Sequence, residues 1–465
     1  MTRPRTIGEL RESGYKVLSV KEEMRKNLIE KIRKGEELFP GIVGYEDTVI
    51  PQVENAILSG QDIIFLGERG QAKTRLIRSL TSLLDPMLPY VEGSEINDDP
   101  FAPVSKHAQD MVAKHGDDTP IAWVSRDDRY GEKLATPDVT TPELIGEVDP
   151  IKVAEGRYLS DELVIHYGLV PRTNRGIFCI NELPDLSEKL QVGLFNVMQE
   201  RDVQIRGFRV RLPLDICVVA SANPEDYTNR GRIITPLKDR YGAQIRTHYP
   251  KQIDVEINIM DAEHSPLLSS DGYRITVPRF MKEIIAETTS MAREHADINQ
   301  RSGVSVRMSI ANYESIISNA LRRAILLRED EVVPRISDLA SIIPSSTGKI
   351  ELETVEEGKE GQIIDELVKK AVRKVFNQNF RAEDFTSFLQ NFTSGRSLEV
   401  SDTMPTAIYS QKARGMGGLQ EAMQRLEGLG SPALLASAIE FILEGLHLNK
   451  KLNKKMLEGE ISYWG

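Results

Sequence analysis

The stretch that most restricts what this chain can fold into is Gly67-Glu68-Arg69-Gly70-Gln71-Ala72-Lys73-Thr74. The apolar run Ile63-Ile64-Phe65-Leu66 precedes it, and Leu76, Ile77, Leu80, Leu83 and Leu84 recur with helical spacing after it. That pattern predicts a buried strand, a glycine-bearing loop and an amphipathic helix in immediate succession. Such a loop turns successive backbone N–H groups around an anion, and the positive end of the following helix faces the same point. Lys73 would reach the β- and γ-phosphates of a nucleotide, and Thr74 would ligate Mg²⁺. Gly67, Glu68, Arg69, Gly70, Gln71, Ala72, Lys73, Thr74 and Arg75 are therefore the nucleotide-contact candidates. In the usual spacing G-x-x-x-x-G-K-[ST], the second glycine is here Ala72. The expected φ at this first helical turn is negative, which a Cβ tolerates, with Gly67 and Gly70 left for the tight part of the loop.

At 465 residues the chain exceeds one compact core and is read as several domains. The expected divisions are an N-terminal helical arm at 1–38, a nucleotide-binding domain at 39–252 with an insertion at 92–170, a helical lid at 253–350, and a helical interaction region at 351–465. A net charge of −11 argues against a chain whose main work is gripping nucleic acid. The two cysteines, Cys179 and Cys217, sit in apolar runs and suggest no disulfide framework or thiolate metal site. With no signal-like apolar core at the amino end and no run of about 18 apolar residues, the expected location is the cytoplasm. Ile42 and Val43, in a glycine-broken loop ahead of the first strand, either pack on an adenine ring or close one end of the sheet. A second strand is expected near Leu88 to Val91, a hairpin within 142–170, and another around Gly207. The run Asn449 to Lys455 reads as a solvated helix end.

A second chemical landmark is Arg175-Gly-Ile-Phe-Cys-Ile-Asn181-Glu182, an apolar strand ending in two polar residues where open α/β sheets bind ligands. In P-loop ATPases this strand ends Asp-Glu, the first holding Mg²⁺ and the second polarising the attacking water. Here Glu182 keeps the place of the general base, while Asn181 would hold the metal only through water, without a carboxylate's charge. Asn223, ending the buried run from Ile216, is placed to orient water or to sense the γ-phosphate. Arg240 lies at a turn before another strand, and Arg307 opens a long helix.

The order of these elements resembles that of the AAA+ ATPases. Phe39-Pro-Gly-Ile-Val-Gly44, Gly67-Glu-Arg-Gly70, Arg175-Gly-Ile-Phe, Asn223-Pro-Glu225 and Leu237-Lys-Asp-Arg240-Tyr-Gly242 look like the ATPase (I) subunit of magnesium chelatase. The Ala72-Lys73-Thr74 ending is more similar to the MoxR branch of the same helix-2-insert clade. The resemblance covers roughly residues 38 to 345. It implies an α/β P-loop fold, a five-stranded parallel sheet with helices on both faces, then a helical lid and a further helical C-terminal region. It also implies a ring, usually hexameric, with ATP at the subunit interfaces. By it, Lys73 and Thr74 are Walker A, Asn181 and Glu182 Walker B, Asn223 sensor 1, Arg240 the arginine finger and Arg307 sensor 2. Residues 141 to 170 would include the clade's insert. Relatives commonly work with a von Willebrand factor A-domain protein. No D-x-S-x-S motif occurs here, so that domain is expected on a separate chain.

The resulting expectation is a Mg²⁺-dependent ATPase that remodels or assembles a partner protein, chaperone-like rather than a true magnesium chelatase subunit, because nothing in the sequence recognises a porphyrin. The alternatives are a ring scaffold that binds ATP with little hydrolysis, and a true chelatase ATPase subunit. A sigma-54-type activator would need a G-A-F-T-G-A loop, which the chain does not contain.

Overall fold

Runs with no polar alternation can satisfy neither face with water and become strands covered on both sides. Five strands, Ile63–Leu66 (β1), Tyr130–Leu134 (β2), Gly176–Asn181 (β3), Ile216–Ala222 (β4) and Ala243–Arg246 (β5), form one parallel sheet in the order β5-β1-β4-β3-β2. Every residue of β3 and β4 is buried. Alternate residues feed two cores: Ile63, Phe65, Ile177, Cys179 and Val219 face one layer of helices, and Ile64, Phe178, Ile180, Val218 and Ala220 the other. The computed structural model describes residues 3–149, 151, 154, 162–200, 202–204, 211–223, 232–265, 267, 272–300, 302–353, 358–392, 396–414, 417–457 and 460–465. The chain divides into two units, Met1–His248 and Tyr249–Gly465.

In the first unit the amino-terminal residues are not an arm. Helix α1 (Ile7–Glu12) sets Ile7 and Leu10 against Ile121. Helix α2 (Val20–Lys34) is opened by a Ser19/Glu22 capping box and closed by left-handed Gly35. Its Val20, Met24 and Leu28 join the core beside α3 (Val49–Leu58) and α4 (Lys73–Ser79). Three apolar residues at i, i+4 and i+8 suffice to dock a helix whose other faces are charged. Buried Glu23 also takes two bonds from buried Arg129, at 2.8 and 2.6 Å.

The expected insertion at 92–170 is corrected as well, because it contains β2, the edge strand of the main sheet. The strand predicted near Leu88 exists as Met87–Val91 but pairs antiparallel with Ile121–Ser125, outside that sheet. Edge strands carry polar residues, so Tyr-Gly-Glu-Lys-Leu lacks the apolar signature of the inner strands. The expected hairpin forms as Gly146–Val148 against Ile165–Tyr167, with 155–161 outside the described residues. Around Gly207, Asp202–Gln204 pairs with Arg211–Pro213, and the turn itself lies outside them. On the second face of the sheet lie α5 (Glu188–Glu200) and α6 (Thr235–Arg240).

The second unit holds α7 (Ile253–Glu263), α8 (Arg279–Ala292), α9 (Arg307–Leu327), α10 (Lys359–Asn379), α11 (Thr406–Arg414) and α12 (Pro432–Leu448). One core runs from Ile257 through Phe280, Ile316, Leu367 and Phe376 to Phe441 and Tyr463, so residues 253–350 and 351–465 are not separate domains here. The apolar stripe of α10 is what joins them: Ile363, Ile364, Leu367, Ala371, Val372 and Val375 are all buried. A small antiparallel sheet was not foreseen. It comprises Ser397–Val400 (β6), Asn453–Leu457 (β7) and Glu460–Trp464 (β8) in the order β6-β8-β7, so of the expected helix end at 449–455 Asn449 caps the preceding helix while 453–455 are strand. Among the described residues no helix is long and apolar enough to cross a membrane.

Candidate functional site

The carboxyl ends of β1, β3 and β4 converge, as ligand-binding edges of parallel sheets do. From β1 the chain enters the glycine loop with no room to spare: a Cβ on Gly67 would lie 1.9 Å from Thr247 Oγ1 and 2.3 Å from Gln71 Oε1. Gly70 has φ +74°, and Ala72, the N-cap of α4, has φ 55° and ψ 17°. The expected negative φ at Ala72 is therefore wrong. The residue stands just before the helix, in the left-handed region that a glycine occupies without steric cost. For an alanine that conformation costs about 1–2 kcal/mol. Two left-handed residues two positions apart make the concave run of N–H groups that receives anions. Tyr45, which the sequence reading overlooked, fastens the loop from below by donating to a carbonyl oxygen, with Gln71 O and His248 O each at 2.9 Å.

Lys73, 8% exposed, donates to the Gly67 carbonyl, to the Glu68 carbonyl at 2.8 Å and to Asn223 Oδ1 at 2.6 Å. Asn223 Nδ2 in turn donates to Glu182 Oε2 at 2.6 Å. One amide thus joins the lysine after β1 to the carboxylate after β3. Glu182 itself is left-handed, with φ 56° and ψ 46°, and its N–H donates to Ser221 Oγ at 3.2 Å. A non-glycine residue held there is characteristic of functional sites, where surrounding bonds enforce the conformation.

Asn181 is buried at the end of β3. Its Oδ1 accepts from Ser221 Oγ at 3.2 Å, and its Nδ2 donates to Glu132 Oε1 at 2.5 Å. Glu132 was not a sequence candidate. It also receives Arg78 Nε at 2.8 Å and Tyr130 OH at 3.1 Å. Burial pushes its carboxyl pKa up, but the bonds from Arg78, Tyr130 and Asn181 outweigh that and hold it below the usual range. Thr74 is half-buried in the first turn of α4, one turn before Arg78, while Arg69 and Arg75 are exposed. Of the adenine candidates, Ile42 is buried in the core with Val49 and Leu76, and Val43 is half-buried. Arg240 ends α6, exposed, with its guanidinium 5.4 Å from the Phe195 ring centre. Arg307 opens α9 in the second unit, also exposed, and is not among the residues the first unit brings together. Pro224 and Glu225 lie outside the described residues.

A buried amine at a helix start, a loop with two left-handed residues and a backbone packed too tightly for a Cβ at Gly67 suit the phosphates of a nucleotide. Among the described residues no group of three or more His, Cys, Asp or Glu would hold a metal ion unaided. A divalent ion here would thus share its coordination between the chain and phosphate oxygens, as Mg²⁺ does in nucleotide sites.

Fold and site together are similar to those of the AAA+ ATPases. The chain's relatives make the kinship narrower. The chain is 27% identical over 247 residues to the magnesium-chelatase 38 kDa subunit of Cereibacter sphaeroides, covering 50% of this chain and 67% of that one. It is 23% identical over 342 residues to the chloroplastic magnesium-chelatase subunit ChlI of Nicotiana tabacum, covering 69% and 75%. A cryo-EM-based complex of magnesium-chelatase subunits BchI and BchD aligns with 71% of this chain and 98% of its own, at 20% identity. Its TM-score of 0.36 is too low to add to what the sheet order shows. The family described as Sigma-54 interaction domain matches residues 160–237, a segment holding β3, β4 and the start of α6.

Proposed function

We propose that this ATPase is a Mg²⁺-dependent motor that couples ATP binding and hydrolysis to the remodelling or assembly of a partner protein. The observation that carries the reading is the continuous line Lys73–Asn223–Glu182, which ties the phosphate-binding element to the base that would activate water. Lys73 would neutralise β- and γ-phosphate oxygens, and Thr74 would ligate the ion. Bound Mg²⁺ supplies charge neutralisation on the transferred phosphoryl group. Glu182 would accept the proton of the attacking water, with Asn223 orienting both. The bond between Asn223 and Glu182 would have to loosen for the carboxylate to turn toward water, so this amide is suited to report phosphate occupancy.

Arg240, exposed at the end of a helix, is suited to act on a neighbouring subunit's nucleotide in a ring, by the family likeness the hexamer usual for the clade, and Arg307 takes the second sensor's role by the same likeness. The likeness also supports a chaperone-like, MoxR-type role in the cytoplasm with a separate von Willebrand factor A-domain partner. A true chelatase ATPase subunit is the neighbouring alternative that the relatives' names suggest. One observation favours a second reading, a ring scaffold with slow turnover: Asn181 lacks the charge of the usual aspartate. A sigma-54 activator is disfavoured because the chain holds no G-A-F-T-G-A sequence.

Sedimentation with and without a non-hydrolysable ATP analogue, combined with subunit mixing, tests the proposal. Lys73→Ala and Arg240→Ala subunits should each be inactive alone and regain part of the activity when mixed, since an interface between an Arg240→Ala nucleotide site and a Lys73→Ala neighbour would hold an intact Lys73 and an intact Arg240. Monomers at all nucleotide concentrations, or no recovery on mixing, would refute the ring motor.

A further inference from the structure

The amide of Asn181 occupies the place of an aspartate, and the neighbouring strand brings a carboxylate to it. In the register of β2 with β3, Glu132 lies opposite Cys179 and Leu134 opposite Asn181. Glu132 therefore shares a sheet face with Cys179 and Asn181, the face covered by α4. There Asn181 Nδ2 donates to Glu132 Oε1 at 2.5 Å, and Arg78 Nη2 donates to the same oxygen at 3.1 Å. Arg78 follows Thr74 by four residues, so the candidate metal ligand and the partner of Glu132 stand one turn apart on one face of α4.

We propose that Glu132 supplies the negative charge of the magnesium shell that the strand-end aspartate supplies in other P-loop ATPases, with Asn181 as the bridge that holds it there. This rests on the nucleotide-site reading above. The competing account is a plain surface ion pair between Glu132 and Arg78. The two ends of that pair are unequal: the Arg78 side chain is 63% exposed and the Glu132 side chain 21%. Solvent competes for the guanidinium, whereas Asn181 and Tyr130 anchor the carboxylate from the protein side. A surface pair has no use for a buried amide aimed at its acid. The placement of Glu132 also explains how an amide is tolerated at 181: the acid stands on the neighbouring strand, and the site keeps one negative charge.

That placement has a specific consequence. Asn181→Asp alone sets two carboxylates where donor and acceptor now lie 2.5 Å apart, so they would share a proton rather than add charge. Asn181→Asp combined with Glu132→Gln restores one acid and one amide. The test is binding of a fluorescent ATP analogue titrated with Mg²⁺, for the full-length wild type, both single variants and the double variant, with melting curves to verify folding. Glu132→Gln should raise the Mg²⁺ midpoint by about tenfold or more, the factor expected for losing a charge-assisted bond, without weakening metal-free binding, since removing a carboxylate relieves repulsion of the phosphates. The double variant should return toward wild type. An unchanged midpoint in folded Glu132→Gln would overturn the inference, as would a double variant no better than that single one. Absence of nucleotide binding by the wild type would instead overturn the nucleotide site itself.

Discussion

Replacing Ala72 with glycine should stabilise the first unit, although glycine inside a helix ordinarily weakens it. The alanine has φ 55°, and relieving a left-handed Cβ is worth about 1–2 kcal/mol. Glycine's extra freedom in the unfolded chain takes back about 0.4–1 kcal/mol. Ala72 is exposed, so its methyl group gives up little packing. The net gain is about 0.5–1 kcal/mol, or about 1–4 °C in Tm for a unit of this size. Trp123 and Trp464 are the only tryptophans, one in each unit. In a Trp464→Phe background, urea unfolding followed by Trp123 fluorescence reports the first unit alone. A helical φ at this position would give the opposite sign, a loss of about 1 kcal/mol. Destabilisation by Ala72→Gly would therefore refute the left-handed assignment and the anion-receiving loop built on it.

Three further outcomes are expected. Glu23→Ala leaves buried Arg129 without its carboxylate and should cost about 3–5 kcal/mol; a loss under about 1 kcal/mol in urea titration would show that the amino-terminal helix is not integral to the fold. Gly67→Ala, forced against Thr247 and Gln71, should abolish nucleotide binding measured by calorimetry, and wild-type affinity would contradict the tight loop. Burial pushes the Cys179 and Cys217 thiols up to about 12 from an ordinary 9.0. Because their folded values exceed their unfolded ones, the stability they contribute is complete below pH 9.0 and is lost as pH rises toward about 12. The slope is about 1.4 kcal/mol per pH unit for each thiol. Double replacement by alanine should flatten that alkaline slope in urea titrations, and an unaltered slope would contradict their burial.

Much of the fold was legible because inner parallel strands must be apolar on both faces. Ile63–Leu66, Gly176–Asn181 and Ile216–Ala222 announce themselves by composition, and the polar residues at their ends mark the site. The edge strand Tyr130–Leu134 was hidden for the converse reason, since its outer side meets water and its Glu and Lys read as insertion. Glu132 was hidden with it: only strand register places that side chain beside Asn181. Helix α2 was expected, but its docking into the core was obscured because three apolar residues are easily lost among charges. The conformation of Ala72 could not be read at all, as alanine carries no sequence mark of a positive φ. In the second unit, the Lys-rich strand Asn453–Leu457 resembles a solvated helix end because exposed strands and exposed helix ends share polar composition.

Steady-state ATP hydrolysis in the presence of Mg²⁺, by the wild type and by Glu182→Gln, tests the central claim most directly. Wild-type turnover that falls by about 10²–10⁴-fold in the variant, with nucleotide affinity retained, is the predicted result. Wild-type protein that binds ATP without hydrolysing it, or a Glu182→Gln variant that turns over at the wild-type rate, would contradict the motor.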